Sequence, residues 1–176
     1  VTNTNDAPTV ASANADASTA EDAASSLDAS GTCTDVDSGD TMAYTISGGP
    51  STITISSGTI SGTPLNADVG THTITVTCTD GSSATATDSY DLTVTNTNDA
   101  PTVASAIADA STAEDAVYSL DISSVFADVD VGDTLSYSIS GAPSAITHSA
   151  GTISGTPVNG DVSTHTIVVT ATDGTA

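Results

Sequence analysis

The chain has 176 residues with no lysine and no arginine, 22 acidic residues and three histidines, giving a formal net charge of −22 at pH 7. With no permanent cation it cannot clamp phosphate, form a Schiff base or build a lysine–asparagine cross-link, and nucleic acid, which proteins hold largely through Lys and Arg, would be repelled. Valine, isoleucine and leucine recur periodically, so the acidity does not spell disorder; the carboxylates either stay dispersed in water or are neutralised from outside, a divalent metal being the obvious candidate.

A repeat organises everything else. Val1 to Val10 returns as Val94 to Val103, Asp35 to Thr41 as Asp128 to Thr134, and Gly58 to Pro64 as Gly151 to Pro157, all at one offset of 93 residues. Roughly seven in ten of the overlapping positions are identical, which points to recent duplication. Two domains are expected, 1–95 and 96–176, each of ordinary size for a small domain.

In chain order, Val1-Thr2 reads as the tail of a strand and Asn3 to Pro8 as a linker. Ala15 to Ala24 is rich in helix formers but has no apolar stripe, so loop and edge strand are expected there. A second strand is expected to end at Cys33, followed by the acidic turn Asp35 to Asp40 and a strand in which Tyr44 and Ile46 alternate. His72 to Cys78 is the clearest strand, with Ile74, Val76 and Cys78 on one face; its copy carries Ile167, Val169 and Ala171 there. Ala84 to Thr95, with Tyr90, Leu92 and Val94 alternating, reads as the last strand of the first copy. The second copy lacks a counterpart, as expected of an excerpt from a longer array. About seven short strands per ~93 residues, bounded by Gly, Pro, Asn and Asp, predict all-β, tandem immunoglobulin-like Greek-key sandwiches. Scarce aromatics make each core thin. No apolar run approaches the length of a membrane span.

At the shared offset, Cys33 and Cys78 correspond to Phe126 and Ala171. A large residue beside a small one in one copy, and two cysteines in the other, fits positions that touch across the core. A Cys33–Cys78 disulfide is the preferred reading, two buried thiols the alternative; the spacing does not suit a metal or redox pair.

The acidic residues recur with the repeat: Asp6, Glu21-Asp22, Asp35, Asp37, Asp40, Asp68 and Asp80, then Asp99, Glu114-Asp115, Asp128, Asp130, Asp133, Asp161 and Asp173. Most fall at turns. Asn96-Thr-Asn-Asp99 adds two amides and a carboxylate between the copies. This is an oxygen-rich donor set of the kind calcium takes. It is not an EF-hand, because the twelfth position counted from Asp35 is Ile46 rather than Glu. Asp16, Asp28, Asp88 and Asp91 are expected to be solvated or turn-forming only.

Asn3-Thr-Asn-Asp-Ala-Pro8 and its copy at 96–101 resemble the cadherin interdomain linker, while Asp35-Val-Asp37 and Thr79-Asp80-Gly81 resemble the DxD and AxD segments of the same repeats. Thr59-Ile-Ser-Gly-Thr-Pro64, followed by Asn66-Ala-Asp-Val69, is similar to the dystroglycan-type cadherin-like and immunoglobulin-like repeats of large bacterial surface adhesins. The resemblance covers essentially the whole chain, twice. It implies calcium between repeats, with Glu21, Asp22 and Asp68 of the first copy, Asn96, Asn98 and Asp99 of the linker, and Asp128, Asp130 and Asp173 of the second as ligands. It further implies that Asn3, Asn5, Asp6, Asp35, Asp37 and Asp80 serve a preceding junction and Glu114, Asp115 and Asp161 a following one. Asp40 and Asp133 are left as either ligands or turn formers.

The expected function is a calcium-stiffened structural repeat of an extracellular, prokaryotic adhesin, stalk or filament, whose partners are neighbouring repeats or identical subunits. A glycan- or protein-recognition module and a self-assembling fibre subunit are the alternatives. Catalysis is not expected: three histidines among many Ser and Asp come without a nucleophile motif.

Overall fold

Short runs of β-branched residues separated by Gly, Asp and Asn leave the chain little choice but strands and turns. The computed structural model describes residues 4–175, and the chain divides into two compact units, residues 1–97 and 98–176.

Unit 1 contains β1 (Thr9–Val10), β2 (Ala17–Ala20), β3 (Ser25–Asp28), β4 (Cys33–Thr34), β5 (Ala43–Ser47), β6 (Ile53–Ser56), β7 (Thr59–Gly62), a 3-10 turn (Asn66–Asp68), β8 (Gly70–Thr79) and β9 (Thr85–Thr95). Seven of these strands form two sheets, in the orders β2-β9-β8-β5 and β3-β7-β6, while β1 and β4 pair separately. Within the larger sheet β2 runs parallel to β9, and the other neighbours are antiparallel. This is the expected Greek-key sandwich, and Ala17–Ala20 is its edge strand.

Alternation along β8 and β9 builds the core. Ile74, Val76 and Cys78 of β8 and Tyr90, Leu92 and Val94 of β9 are all buried and pack with Ala29, Ile53 and Ile60 from the facing sheet. Each such side chain contributes about 1.5–3 kcal/mol of apolar burial. The β6–β7 hairpin turns through Ser57 and Gly58, both at positive φ, a mirror-image two-residue turn whose twist matches the strands it joins.

The Cys33–Cys78 disulfide is present and ties β4 to β8. Cys33 does not end the second strand, as expected from sequence. β3 stops at Asp28, a turn intervenes in which Thr32 N–H donates to Ala29 O, and Cys33 opens a separate strand paired to β1.

Unit 2 contains β10 (Thr102–Val103), β11 (Tyr118–Asp121), β12 (Phe126–Ala127), β13 (Ser136–Ser140), β14 (Ile146–Ser149), β15 (Thr152–Gly155), a second 3-10 turn (Asn159–Asp161) and β16 (Val168–Thr172). Its sheets are β11-β15-β14, β13-β16 and β10-β12, matching β3-β7-β6, β5-β8 and β1-β4. The differences lie where β9 would pair. Ala110 to Ala113 has the sequence of β2 yet is not a strand, and residues 163–167, copies of the first half of β8, are not a strand either. In unit 1 both segments are laddered to β9, while β5 reaches only Thr75–Thr79 of β8. The buried core of unit 2 is correspondingly reduced to Ile122, Val125, Ile146 and Ile153. Phe126, at the position of Cys33, packs on this core and lies 6.0 Å from the Tyr137 ring. Among the described residues no helix is long and apolar enough to cross a membrane.

Candidate metal centres

Each unit gathers aspartates at the turn after its short strand β4 or β12, joined in unit 2 by Asp173 just after β16. In unit 1, oxygens of Asp35, Asp37 and Asp40 lie within 4.8 Å of one another; in unit 2, those of Asp128, Asp133 and Asp173 do the same. The spacing follows from the turns. Asp37 N–H donates to Asp35 Oδ1 at 2.8 Å and Asp130 N–H to Asp128 Oδ1 at 3.0 Å, so each Asp-Val-Asp folds back on its first carboxylate. The turn then closes through Asp40 N–H to Asp37 O and Asp133 N–H to Asp130 O.

The linkers dock onto these turns in the same way twice. Asn5 Nδ2 donates to Asp80 Oδ2 at 3.0 Å and Asp6 N–H to Asp37 Oδ2 at 2.8 Å. Asn98 Nδ2 donates to Asp173 Oδ2 at 2.9 Å and Asp99 N–H to Asp130 Oδ2 at 2.7 Å. Asp80 is nearly buried and also accepts from Ser82 and Ala84 N–H; Asp173 accepts from Thr175 N–H. The Asn amide and these N–H groups hold the Asp80 and Asp173 carboxyls below the usual carboxylate range. Asp40 and Asp133 are pushed the other way, first by burial and then by the neighbouring aspartates.

The donor set fits a calcium ion. Two oxygens bound on opposite sides of one calcium lie about 4.6–5.2 Å apart, and adjacent ones closer, so three carboxylate oxygens within 4.8 Å can share an ion. The buried oxygens Asp35 Oδ2 and Asp128 Oδ2, equivalent positions in the two units, accept no hydrogen bond. A buried carboxylate oxygen left in that state is costly unless a cation meets it. All-oxygen donors disfavour soft metals. Asp40 and Asp133, left undecided by sequence, belong to these groups; their recurrence in both copies was the available signal.

The remaining predicted ligands are disposed differently. Glu21 is 1 % exposed; its Oε1 accepts from Thr97 N–H at 2.8 Å, and its Oε2 has no hydrogen-bond partner. Asp22 is exposed with positive φ, its N–H donating to Pro64 O. The Asp68 carboxylate is committed to Thr52 Oγ1 and Leu65 N–H, and Asp161 likewise accepts from Val158 N–H. Glu114, Asp115 and Asn96 are exposed. Asn3 lies outside the described residues. His72 Nε2–H donates to Asp68 O at 2.7 Å, a strand-edge role.

Asp28 and Asp121 stand apart from the metal clusters. Each accepts the N–H of the serine two residues on, Ser30 and Ser123; the Ser30 side chain and then its N–H hold Asp28 below the usual carboxylate range, and the Ser123 N–H and then its side chain do the same for Asp121. A folded pKa below the unfolded one stabilises above the unfolded value, and the gain is lost as pH falls through the folded value. Carbon-detected NMR titration should place both carboxyls below the ordinary aspartate midpoint, with the Ser30 and Ser123 amide shifts following the same curve. Midpoints at or above the ordinary value would refute these caps.

The family model described as a putative Ig domain matches residues 7–95 and again 100–176. The chain belongs to this family. The tandem Ig-family repeats are similar to protocadherin gamma B2 extracellular cadherin domains 3-6, with 12% identity over 92% of this chain and 46% of that one at a TM-score of 0.50. An endo-fucoidan hydrolase from glycoside hydrolase family 107 matches with 23% identity and a TM-score of 0.47; the match takes in 97% of the Ig-family chain and only 27% of the hydrolase. The titin domains z1z2 in complex with telethonin match over 96% of this chain and 90% of theirs, with 15% identity and a TM-score of 0.40. No curated protein matches the sequence. At such identities the likeness concerns the Ig/cadherin-like fold, and the Ig-like family is typically non-enzymatic.

Proposed function

We propose that the chain is a calcium-stiffened structural segment of an extracellular surface adhesin, stalk or filament. The observation that carries this reading is the twofold recurrence of one arrangement: a linker Asn and Asp tied to a turn of converging aspartates, with one buried carboxylate oxygen left without a donor. Calcium would supply the positive charge that the composition withholds. Asp35, Asp37, Asp40, Asp80, Asn5 and Asp6 are the proposed ligands in unit 1, and Asp128, Asp130, Asp133, Asp173, Asn98 and Asp99 in unit 2. Glu21, with its orphaned oxygen, is a further candidate. With the charge cancelled, each linker is held to the unit that follows it; without it, mutual repulsion frees the Asn-Thr-Asn-Asp segment. Affinities of about 10⁻⁴–10⁻³ M would suffice, because extracellular fluid supplies the ion. The disulfide agrees with an oxidising location.

Small-angle scattering of the 176-residue chain in millimolar calcium and then in excess chelator tests the reading. Chelation should shorten or broaden the distribution of maximum dimension, and re-addition should restore it. Asp35→Asn with Asp128→Asn should reproduce the chelated profile in the presence of calcium. An identical profile under all conditions would sink the proposal.

A further inference from the structure

The two 3-10 turns differ at one of their three residues, and that residue changes their chemistry. Unit 1 has Asn66-Ala67-Asp68, unit 2 Asn159-Gly160-Asp161. The chain contains seven asparagines, and Asn159 is the one followed by glycine. Both turns close alike, Asp68 N–H donating to Leu65 O and Asp161 N–H to Val158 O, each at 2.8 Å. In unit 2 the Asp161 Oδ2 also accepts the Val158 N–H at 2.9 Å. These bonds use the residues on either side of the Asn–Gly pair and leave the pair itself out. Among the described residues, neither the Gly160 N–H nor the Asn159 side-chain amide enters a hydrogen bond, whereas Asn66 is partnered. Asn159 and Gly160 are both exposed. Ala67, the copy of Gly160 in the unit where β8 and β9 are laddered, is exposed as well, so this corner of the fold lies at the surface in either unit.

We propose that Asn159-Gly160 is a self-modifying site, at which the chain converts its own asparagine to aspartate and isoaspartate. The Gly160 nitrogen attacks Asn159 Cγ. The N–Cγ bond forms, the Cγ–Nδ2 bond breaks, and ammonia leaves with the proton that the nitrogen gives up. A five-membered cyclic imide results. Water then opens it on either side: cleavage at Cγ gives aspartate, and cleavage at the main-chain carbonyl gives the β-linked isomer. Nothing is oxidised or reduced. A peptide nitrogen is a weak nucleophile, its lone pair being delocalised into the carbonyl, so the rate depends on how freely it can approach Cγ. Glycine brings no Cβ to obstruct that approach and can adopt the backbone angles it needs. At Ala67 the methyl group stands beside the nitrogen. Either product adds a carboxylate two residues from Asp161. The β-linked product also lengthens the main chain by one atom inside the loop that Val158 and Asp161 close, so that turn must open. Unit 2 therefore carries a slow, irreversible change of charge and backbone that unit 1 is spared, and it is independent of calcium.

The test ages the intact 176-residue chain at mildly alkaline pH and follows it by mass spectrometry. The whole chain is fragmented in the instrument, because without Lys or Arg it offers no tryptic site. Residue 159 should gain one mass unit, about tenfold or more faster than Asn66 gains it, the two turns differing in the glycine. An isoaspartyl methyltransferase should then label the aged chain and not the fresh one. Gly160→Ala is a clean comparison, since the added methyl group would meet no atom within 4 Å; it should bring residue 159 down to the rate of Asn66. No gain at 159 in the folded chain overturns the proposal, and a gain confined to chain unfolded in urea does so by showing that the turn shields the pair. Equal rates at Asn66 and Asn159, or an unchanged rate in Gly160→Ala, overturn it too.

Discussion

Replacing Cys33 and Cys78 together by alanine is expected to destabilise unit 1 by about 4 kcal/mol, the chain-entropy value for a loop of this length, the cysteines being 45 residues apart. For a domain of this size that corresponds to roughly a 20 °C fall in melting temperature. Unit 2 provides the internal control, since Phe126 and Ala171 occupy the same positions without a covalent link. Scanning calorimetry of the double variant should therefore show one transition moving and the other holding. The transplant Cys33→Phe with Cys78→Ala should recover part of the loss, because it restores the volume that unit 2 uses. A double variant that melts with the parent would mean that the bridge contributes nothing beyond its packing.

The second large effect is a contrast between duplicated residues. Ile74 of β8, paired with Tyr90 of β9, is fully buried in the unit 1 core. Its copy Ile167 is only half-buried and not in a strand. Ile74→Ala should cost about 3–4 kcal/mol, the transfer loss plus a cavity that the sandwich cannot collapse. Ile167→Ala should cost about 1 kcal/mol or less, because the removed atoms were partly in water already. Denaturant titration of both variants reads the difference. Equal losses would show that residues 163–167 are as well packed in solution as their copies.

Much of this architecture was legible in the sequence because the relevant signals are local. Alternation at Ile74, Val76 and Cys78 names the buried face of β8, and the exchange of Cys33 and Cys78 for Phe126 and Ala171 marks positions facing one core. What escaped is what depends on a partner strand. Ala17–Ala20 and residues 110–113 share the sequence Ala-Ser-Thr-Ala, yet only the first is a strand. A ladder is a property of two segments, and no reading of one of them contains it. The separate pairing of Cys33 with Val10 escaped for the same reason. At the candidate metal site the repeat offset picked out the aspartates, but a carboxylate in a turn looks alike whether it caps a backbone N–H or awaits a cation. Only the geometry separates Asp68, spent on Leu65 and Thr52, from Asp40, which converges with Asp35 and Asp37.

The parallel pairing of β2 with β9 has a mechanical consequence. Ala17 faces Leu92 and Ala20 faces Thr95, so the chain enters this ladder at one end and leaves it at the other. Tension along the polypeptide pulls the two strands in opposite senses along their length, and their hydrogen bonds are loaded together in shear instead of peeling one by one. The same geometry limits what a rupture releases. Once β2 and β9 part, the loop closed by Cys33 and Cys78 stays shut, and the 45-residue separation it spans is withheld from extension, about 150 Å at ~3.4 Å per residue. Single-molecule pulling on unit 1 should thus show a short lengthening step under oxidising conditions and one longer by that amount after reduction, so that the bond sets how far the segment yields as well as how firmly it holds.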